Sequence, residues 1–289
     1  MIRVPSSMNN ADFESLKIQD AVFVAYRNNE TPLRNEVFFE EHAVIFVLEG
    51  EKKFVSPSKT IYVRKGQLVF IRRGYYFMQE TLDVNYKSLV FFFNEKLLKE
   101  FVGQNFSLFQ KDINKKVLSD VSEIMVFDVI QNIQKFTETI FPFFNRKSIY
   151  QEYFLKLKLH ELLLNILEID NSNHFKKMLW SLYNGEKLDL DYLMNSYYLR
   201  TLSVAELARL SGRSLSVFKR DFHKQFQCSP AYWIKNKRLE YAYLILKNTT
   251  KSVNEISLEI GYESVSHFIK AFKEKYQTTP SLLSKNEGA

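Results

Sequence analysis

Two segments in the last hundred residues of the chain repeat one another. Residues 203–230, SVAELARLSGRSLSVFKRDFHKQFQCSP, align with residues 252–280, SVNEISLEIGYESVSHFIKAFKEKYQTTP. Each opens on Ser-Val. Leu207 matches Ile256, Gly212 matches Gly261, Phe218 matches Phe268, Phe222 matches Phe272, Phe226 matches Tyr276, and Ser229-Pro230 matches Thr279-Pro280. The offset is 49 up to the glycine and 50 beyond it, so the second turn carries one extra residue. Agreement at this many spaced positions is not a by-product of composition, and it requires one local structure to be built twice.

Each copy reads as helix–turn–helix. Ser203 and Ser252 suit N-caps, and Glu206 and Glu255 three residues later complete the capping-box pattern. Gly212 and Gly261 stand where a sharp turn needs positive φ. Ser214 and Ser264 then cap a second helix whose inward stripe is Leu215, Phe218 and Phe222, or Val265, Phe268 and Phe272. Its outward positions are Ser216, Val217 and Arg220, flanked by Lys219, in one copy and Ser266, His267 and Lys270 in the other. Short polar residues let a helix approach the floor of a DNA major groove, where Arg or Lys reads guanine edges. Lys224 and Lys273, nearer the helix ends, suit phosphates, as do the helix starts at Ser214 and Ser264.

Between the copies lies PAYWIKNKRLEYAYLILKN, residues 230–248, capped by Ser229 with Pro230 at the first helical position. About 18 helical residues span ~27 Å, enough to hold two recognition helices roughly one DNA turn apart. A single face of this kind is ordinarily just solvated surface. Two aligned copies, a connector and a local charge excess together point to DNA. The net charge is +7, and residues 191–289 hold 15 Lys and Arg against 9 Asp and Glu, while residues 1–190 hold 25 against 24. The basic surplus therefore sits with the repeats and calls for a polyanionic partner.

The 289 residues are enough for about two domains. From about 18 to 93, short runs such as AVFVAY, AVIFVLEG, KKFV, TIYVRKG, QLVFIRRG and YKSLVFFF read as strands of a small barrel or sandwich. LEGEKKFV reads as a tight hairpin turning at Gly50, with further turns at Gly66 and Gly74. From about 95 to 180 the period is helical: Asn94 is a candidate N-cap, 115–138 carries apolar positions at helical spacing, and Pro142 punctuates it. Residues 148–169 form a long helix with too many leucines for one face, so it packs on both sides, against its own domain and against either a second subunit or another helix of the same chain. IDNSNH (169–174) and YNGEK (183–187) are the linker signals. These readings place one domain at 1–180 and a DNA-binding domain at 188–284, with helix–turn–helix motifs at 203–226 and 252–276.

At these residues the chain resembles the AraC/XylS family of bacterial transcription regulators. EISLEIGYESVSHFIKAFKEKYQTTP and KRLEYAYLIL are similar to the family signature, with Gly261-Tyr262, Ser264, Phe268, Lys270, Phe272 and Pro280, and with Arg238, Leu239, Ala242 and Leu246. The resemblance covers about 190–284. By position it implies base and groove contacts at Ser216, Lys219, Arg220, Ser266, His267 and Lys270. Ser257 stands where Ala is usual and Gln277 where Gly is frequent, and SLLS at 281–284 replaces the usual Tyr-Arg ending. Ile269 has no polar counterpart to Lys219, so the two helices should read DNA unequally. HAVIFVLEGEKKFV and YVRKGQLVFIRRG are similar to the cupin-like regulatory domain of such proteins, most of all the ExsA-type subgroup. That implies an α+β fold: a cupin-like β-barrel with a helical dimerisation segment, then an all-α domain of two helix–turn–helix motifs. It also implies that 1–180 is a regulatory and dimerisation domain, with promoter DNA and RNA polymerase as partners, a homodimer through 148–169, and control by a protein or a small effector at the N-terminal domain.

Rival functions find less support. A metal cupin needs several imidazoles and a carboxylate; the barrel segment offers His42 beside Glu40 and Glu41, and no second histidine precedes His160. His42 therefore reads as solvated or hydrogen-bonded. Arg72 and Arg73 read as a solvated turn with some capacity for an anion, and Phe46, Phe70 and Phe77 as core or pocket lining. No triad or Gly-rich phosphate loop appears, so catalytic residues, metal and cofactor are not expected. Cys228 alone excludes an intramolecular disulfide framework. No run approaches a membrane span and the first residues lack the pattern of a secretory signal, which favours the cytoplasm. The alternative to a regulator is a sensor or interaction protein whose DNA affinity is vestigial.

Overall fold

A computed structural model describes residues 2–8, 14–28, 35–56, 59–80, 86–109, 123–128, 131–145 and 148–285. The chain forms two compact units, residues 1–186 and 187–289.

The first unit is built on two sheets. One has the order β1 (Ile2–Val4), β4 (Asn35–Phe39), β9 (Gly74–Glu80), β6 (Glu51–Val55), β7 (Thr60–Arg64). The other has the order β11 (Ile124–Asp128), β8 (Gln67–Ile71), β5 (His42–Glu49), β10 (Tyr86–Phe93), β3 (Ala21–Asn28), β2 (Glu14–Ile18). The runs VIFVL and SLVFFF are continuous rather than alternating because this second sheet is covered on both faces. Ile45, Val47, Val90 and Phe92 pack with Val37, Phe39 and Phe54 of the first sheet. Their neighbours Val44, Phe46, Phe91 and Phe93 point the other way, onto helices α1 (Glu95–Gln104), α2 (Gln131–Asn145), α3 (Gln151–Ile169) and α4 (His174–Tyr183).

Four features differ from the sequence reading. Gly50 does not turn a hairpin: β5 and β6 lie in different sheets, and Gly50 at φ 79° is a corner where the chain crosses between them. Gly66 at φ 83° does the same between β7 and β8. A corner and a tight hairpin both need a residue in the left-handed region, so local chemistry does not separate them. Within 115–138, Ile124–Asp128 is a strand, paired from Ile124↔Ile71 to Asp128↔Gln67. Burial of Ile124 and Met125 against opposite layers overrides the helical spacing; residues 110–122 lie outside the described residues. Pro142 does not end its helix, which runs on to Asn145, held by buried Phe136 and Ile140. IDNSNH is a turn inside the first unit, where the Asp170 carboxylate accepts from His174 N (3.2 Å) and Lys176 N (3.0 Å). Asn94 caps α1 as its sequence suggests, accepting from Leu97 N at 3.0 Å.

The second unit is helical: α5 (Leu190–Tyr197), α6 (Val204–Leu210), α7 (Leu215–Phe226), α8 (Pro230–Asn248), α9 (Val253–Glu259), α10 (Val265–Tyr276) and α11 (Pro280–Lys285). The 19 residues of α8 carry one copy of the repeat at each end. Trp233 in its first turn meets Phe222 and Phe226 of α7, with ring centroids 6.3 and 5.7 Å apart. Leu239, Ala242 and Leu246 in its second half pack with Ile256, Ile260, Phe268 and Phe272 of α9 and α10.

Candidate nucleic-acid interface

Both copies are shaped by the same local devices. Ser203 and Ser252 accept from the backbone N–H of Glu206 and Glu255, whose carboxylates accept from the serine N–H in return. Gly212 and Gly261 sit at φ 74° and 75°. In each turn the next residue reaches back into the first helix, Arg213 N to Ala208 O and Tyr262 N to Ser257 O, both at 3.0 Å. These bonds satisfy carbonyls that a helix end leaves unpaired. Ser214 accepts from Val217 N at 3.4 Å and Ser264 from His267 N at 3.5 Å, fixing the starts of α7 and α10. The extra residue of the second turn changes the cap backbone, from φ −67°, ψ 157° at Ser214 to φ −131°, ψ 122° at Ser264. Both second helices end on a left-handed glutamine, Gln227 (φ 53°) and Gln277 (φ 56°). That conformation explains why glycine is at home at position 277.

The candidate side chains fall as follows. Phe218, Phe222, Phe268 and Phe272 are fully buried and turn the opposite faces outward. Ser216, Lys219, Arg220 and Lys224 are exposed on α7, as are Ser266, His267, Lys270 and Lys273 on α10. Ser214 is exposed at its cap and Ser264 half-buried; Val217 is half-buried and belongs partly to the packing. The basic residues divide sharply. Lys235, Lys237, Lys251 and Lys275 are paired with Glu274, Glu240, Glu259 and Glu240. Lys219, Lys224, Lys270 and Lys273 have no acidic partner among the described residues.

Three polar residues of this unit are prominent in the structure although the sequence pattern does not mark them as contact residues. Arg238, half-buried in the middle of α8, donates to Tyr198 O (2.6 Å), Arg200 O (2.7 Å) and Gly261 O (3.1 Å). Arg213, in the first turn, donates to Leu188 O (2.8 Å), Ser211 O (3.3 Å) and the Asp221 carboxylate (3.2 Å). Asp221 also accepts from Arg220 Nη2 at 3.2 Å and Nε at 3.4 Å. Partial burial would raise the Asp221 carboxyl, but the bonds from Arg213 and Arg220 hold it below its ordinary range. The alignment contains a signal for Asp221, since the matching residue of the other copy is apolar Ala271.

Profile comparison decides the family. The profile described as the ExsA N-terminal regulatory domain matches residues 42–178, and a helix-turn-helix domain profile matches residues 207–286. The chain belongs to the AraC family of transcription regulators. Similar over nearly their whole length are the virulence regulon transcriptional activator VirF of Yersinia enterocolitica, 25% identical over 255 residues (87% of this chain, 92% of the relative), and the transcriptional regulator ExsA of Pseudomonas aeruginosa, 25% identical over 245 residues (84% and 85%). Among solved structures, ToxT of Vibrio cholerae aligns over 91% of this chain and 97% of its own at 15% identity and a TM-score of 0.42. As in the family, an N-terminal regulatory domain precedes a helical DNA-binding domain. No described helix is long and apolar enough to cross a membrane.

In the ExsA-type domain of this AraC-family chain, His42 takes the hydrogen-bonded one of the two roles its sequence left open, and Arg73 departs from its expected place. His42 is not solvated: it is 1% exposed, stacks on Phe70, and its Nδ1 accepts from Arg73 N at 3.3 Å. Burial lowers its pKa to about 4. Arg73 is not a solvated turn residue either, since its guanidinium pairs with Glu95. Burial opposes ionisation of Glu95, yet the His42 and Arg73 contacts bring its carboxyl to about 2. No group of three potential metal ligands occurs among the described residues. A cavity of about 280 Å³ does lie between the sheets, lined by Val37, Phe39, Ile45, Phe92, Lys52 and Ser88 among others. Phe46 and Phe70, candidates for such a lining, face the helices instead.

Proposed function

We propose that this AraC-family regulator is a sequence-specific transcription activator that lays α7 and α10 into two successive major-groove segments of promoter DNA. In this reading Ser216, Lys219 and Arg220 of the first helix, and Ser266, His267 and Lys270 of the second, face base edges. Ser214, Lys224, Ser264 and Lys273 face phosphates. The observation that carries it is a division of the lysines: Lys219, Lys224, Lys270 and Lys273 on the outward faces of α7 and α10 have no acidic partner among the described residues, while Lys235, Lys237, Lys251 and Lys275 are tied to glutamates. Unpaired cations released from no internal partner are available to replace DNA counterions. The 19-residue connector, at 1.5 Å per residue about 28 Å long, suits two grooves one helical turn apart.

The test is affinity for fragments recovered by a genome-wide map of bound sites, against scrambled duplex, as salt is raised. Arg220→Ala and Lys270→Ala should each lose about 1–3 kcal/mol of specific binding. Lys224→Ala and Lys273→Ala should weaken all sequences alike and reduce the salt slope by about one. Equal binding to mapped and scrambled DNA would sink the reading and favour a sensor or interaction protein with vestigial DNA affinity.

The same reading makes the protein a cytoplasmic homodimer that engages RNA polymerase and takes its signal at the N-terminal domain. Supporting the dimer is the outer face of α3 and the residue before it: Tyr150, Tyr153, Leu157 and Leu164 are 60, 70, 66 and 43% exposed at three-and-four spacing. That spacing suits the seam of two packed helices, and Leu157→Glu should shift sedimentation to monomer. Supporting a small effector is the cavity between the sheets. There the ammonium of Lys52 lies 4.8 and 4.2 Å from the rings of Tyr26 and Tyr86, and the buried Ser88 hydroxyl has no hydrogen-bond partner. A protein effector is the alternative, distinguished by whether the cavity-filling Ser88→Leu variant abolishes the response.

A further inference from the structure

The two recognition helices differ at one position that the cation count does not explain. Asp221 lies on α7 between the turn and the outward face, and its two oxygens do different things. Oδ2 accepts from Arg213 Nε at 3.2 Å, with Lys187 Nζ at 4.0 Å. Arg213 is itself only 11% exposed and anchored on Leu188 O and Ser211 O. Oδ1 accepts from the outward-facing Arg220, at Nη2 and Nε. A chain of hydrogen bonds thus runs from the backbone beneath the first motif, through Arg213 and Asp221, to an arginine whose side chain is 74% exposed.

We propose that Asp221 is a specificity-determining residue that acts through Arg220, holding its guanidinium so that the free edge is presented to a guanine. The proposal rests on the reading that Arg220 reaches a base edge. The donor count permits it. Arg carries five N–H groups; Asp221 takes Nε–H and one from Nη2, leaving both on Nη1 and the second on Nη2. Those donors form the fork that pairs with guanine O6 and N7. An arginine held in advance loses less side-chain freedom on binding than one that is free. At the matching place in α10 stands Ala271, so Lys270 has no such anchor and acts as a mobile point charge. The first helix therefore discriminates sharply at the base pair under Arg220, and the second more loosely under Lys270.

The experiment selects from a randomised duplex pool with the full-length protein, sequencing the bound fraction for wild type, Arg220→Ala, Asp221→Asn and the double variant. Arg220→Ala should remove about tenfold preference at one base pair. Asp221→Asn should flatten that same base pair by a similar factor, leave the other positions of the motif as in wild type, and change nothing further in the Arg220→Ala background. Retention of the wild-type preference by Asp221→Asn overturns the proposal. So does an effect of Asp221→Asn that persists in the Arg220→Ala background, because Asp221 then serves the fold through Arg213. Absence of any motif for wild type, or of an effect of Arg220→Ala, is the separate failure of the reading beneath it. Arg220→Lys covers the case in which Asp221→Asn does not fold. A lysine lacks the fork and should lose the same preference, and a lysine variant that keeps it overturns the proposal.

Discussion

The two copies of the repeat share a backbone and differ in how that backbone is tied down. Their caps, turn glycines and inward phenylalanines superpose residue for residue in sequence, and each ends on a left-handed glutamine. In the first copy the tether starts in the turn itself: Arg213 reaches out to Leu188 and Ser211 carbonyls and to Asp221. In the second, the tether comes from the connector: Arg238 of α8 reaches the Gly261 carbonyl and binds it to the carbonyls of Tyr198 and Arg200. A helix–turn–helix therefore leaves one demand open, a cation for the exposed carbonyls at its turn, and the demand is met from whichever side has a guanidinium within reach. The consequence is structural asymmetry, because the first solution recruits Asp221 and through it Arg220, whereas the second leaves Lys270 independent; the proposed base contacts would make that asymmetry functional.

The largest effects test whether the tethers are separate. Arg238→Ala removes three hydrogen bonds from a charged donor and should cost roughly 3 kcal/mol, read as lost amide protection in α10 with α7 much less affected. Arg213→Ala should invert that pattern. Equal loss in both helices after either substitution would show one shared tether.

A comparable effect separates the two units rather than the two copies. His42 has a folded pKa of about 4 against an ordinary 6.5, so the unfolded chain binds the proton first as pH falls. Stability is complete above about 6.5 and declines as pH drops toward 4, by up to about 3 kcal/mol. Glu95, held to about 2, adds a further decline below 4.5 in the same direction. Urea unfolding of the N-terminal unit followed from pH 7 to pH 4 should show this slope in wild type and a much flatter one in His42→Gln. An unchanged slope in the variant would place the titrating group elsewhere.

The turn glycines should rank. Gly212→Ala and Gly261→Ala each force a side chain to φ near +75°, costing about 1–2 kcal/mol. A Cβ at Gly261 also meets the Arg238 guanidinium at 3.1–3.3 Å. Thermal melts should therefore fall further for Gly261→Ala, and the reverse order would contradict the tether geometry. The smallest effect is a gain. Ser257 is fully buried in α9 with an unpartnered hydroxyl, where the first copy has Ala208. Ser257→Ala should raise stability by about 1 kcal/mol, while Ala208→Ser should lower it.

What could be read from the residues was what is local. Caps, the positive-φ glycines and the inward phenylalanines of α7 and α10 each depend on neighbours within about four residues, so their spacing in the repeat exposes them; Leu215, read as inward from the same spacing, is instead 40% exposed at the start of α7. The outward candidates follow from the same period. The sheet connections were less legible. A glycine corner between sheets carries the same signal as a hairpin turn, so Gly50 was open to either, and Ile124–Asp128 has helical spacing until β8 supplies a partner. Arg73 looked solvent-facing, and His42 was open to either solvent or a hydrogen bond, because Glu95, which meets both, lies more than twenty residues on and approaches only when the chain folds.

The sequence by itself determined that one helix–turn–helix was built twice, that a 19-residue helix joins the copies, and that the polar residues of α7 and α10 lie opposite the buried phenylalanines. Those properties are periodic and local, and the chain states them in its own spacing. Only the tertiary structure decided which cations remain free for DNA and which are spent on glutamates. It also decided that Arg213 and Arg238 tether the two turns from opposite sides, and that Asp221 couples the first tether to Arg220. A guanidinium finds its carbonyls and carboxylates across tens of residues, and no local pattern records where the fold will bring them.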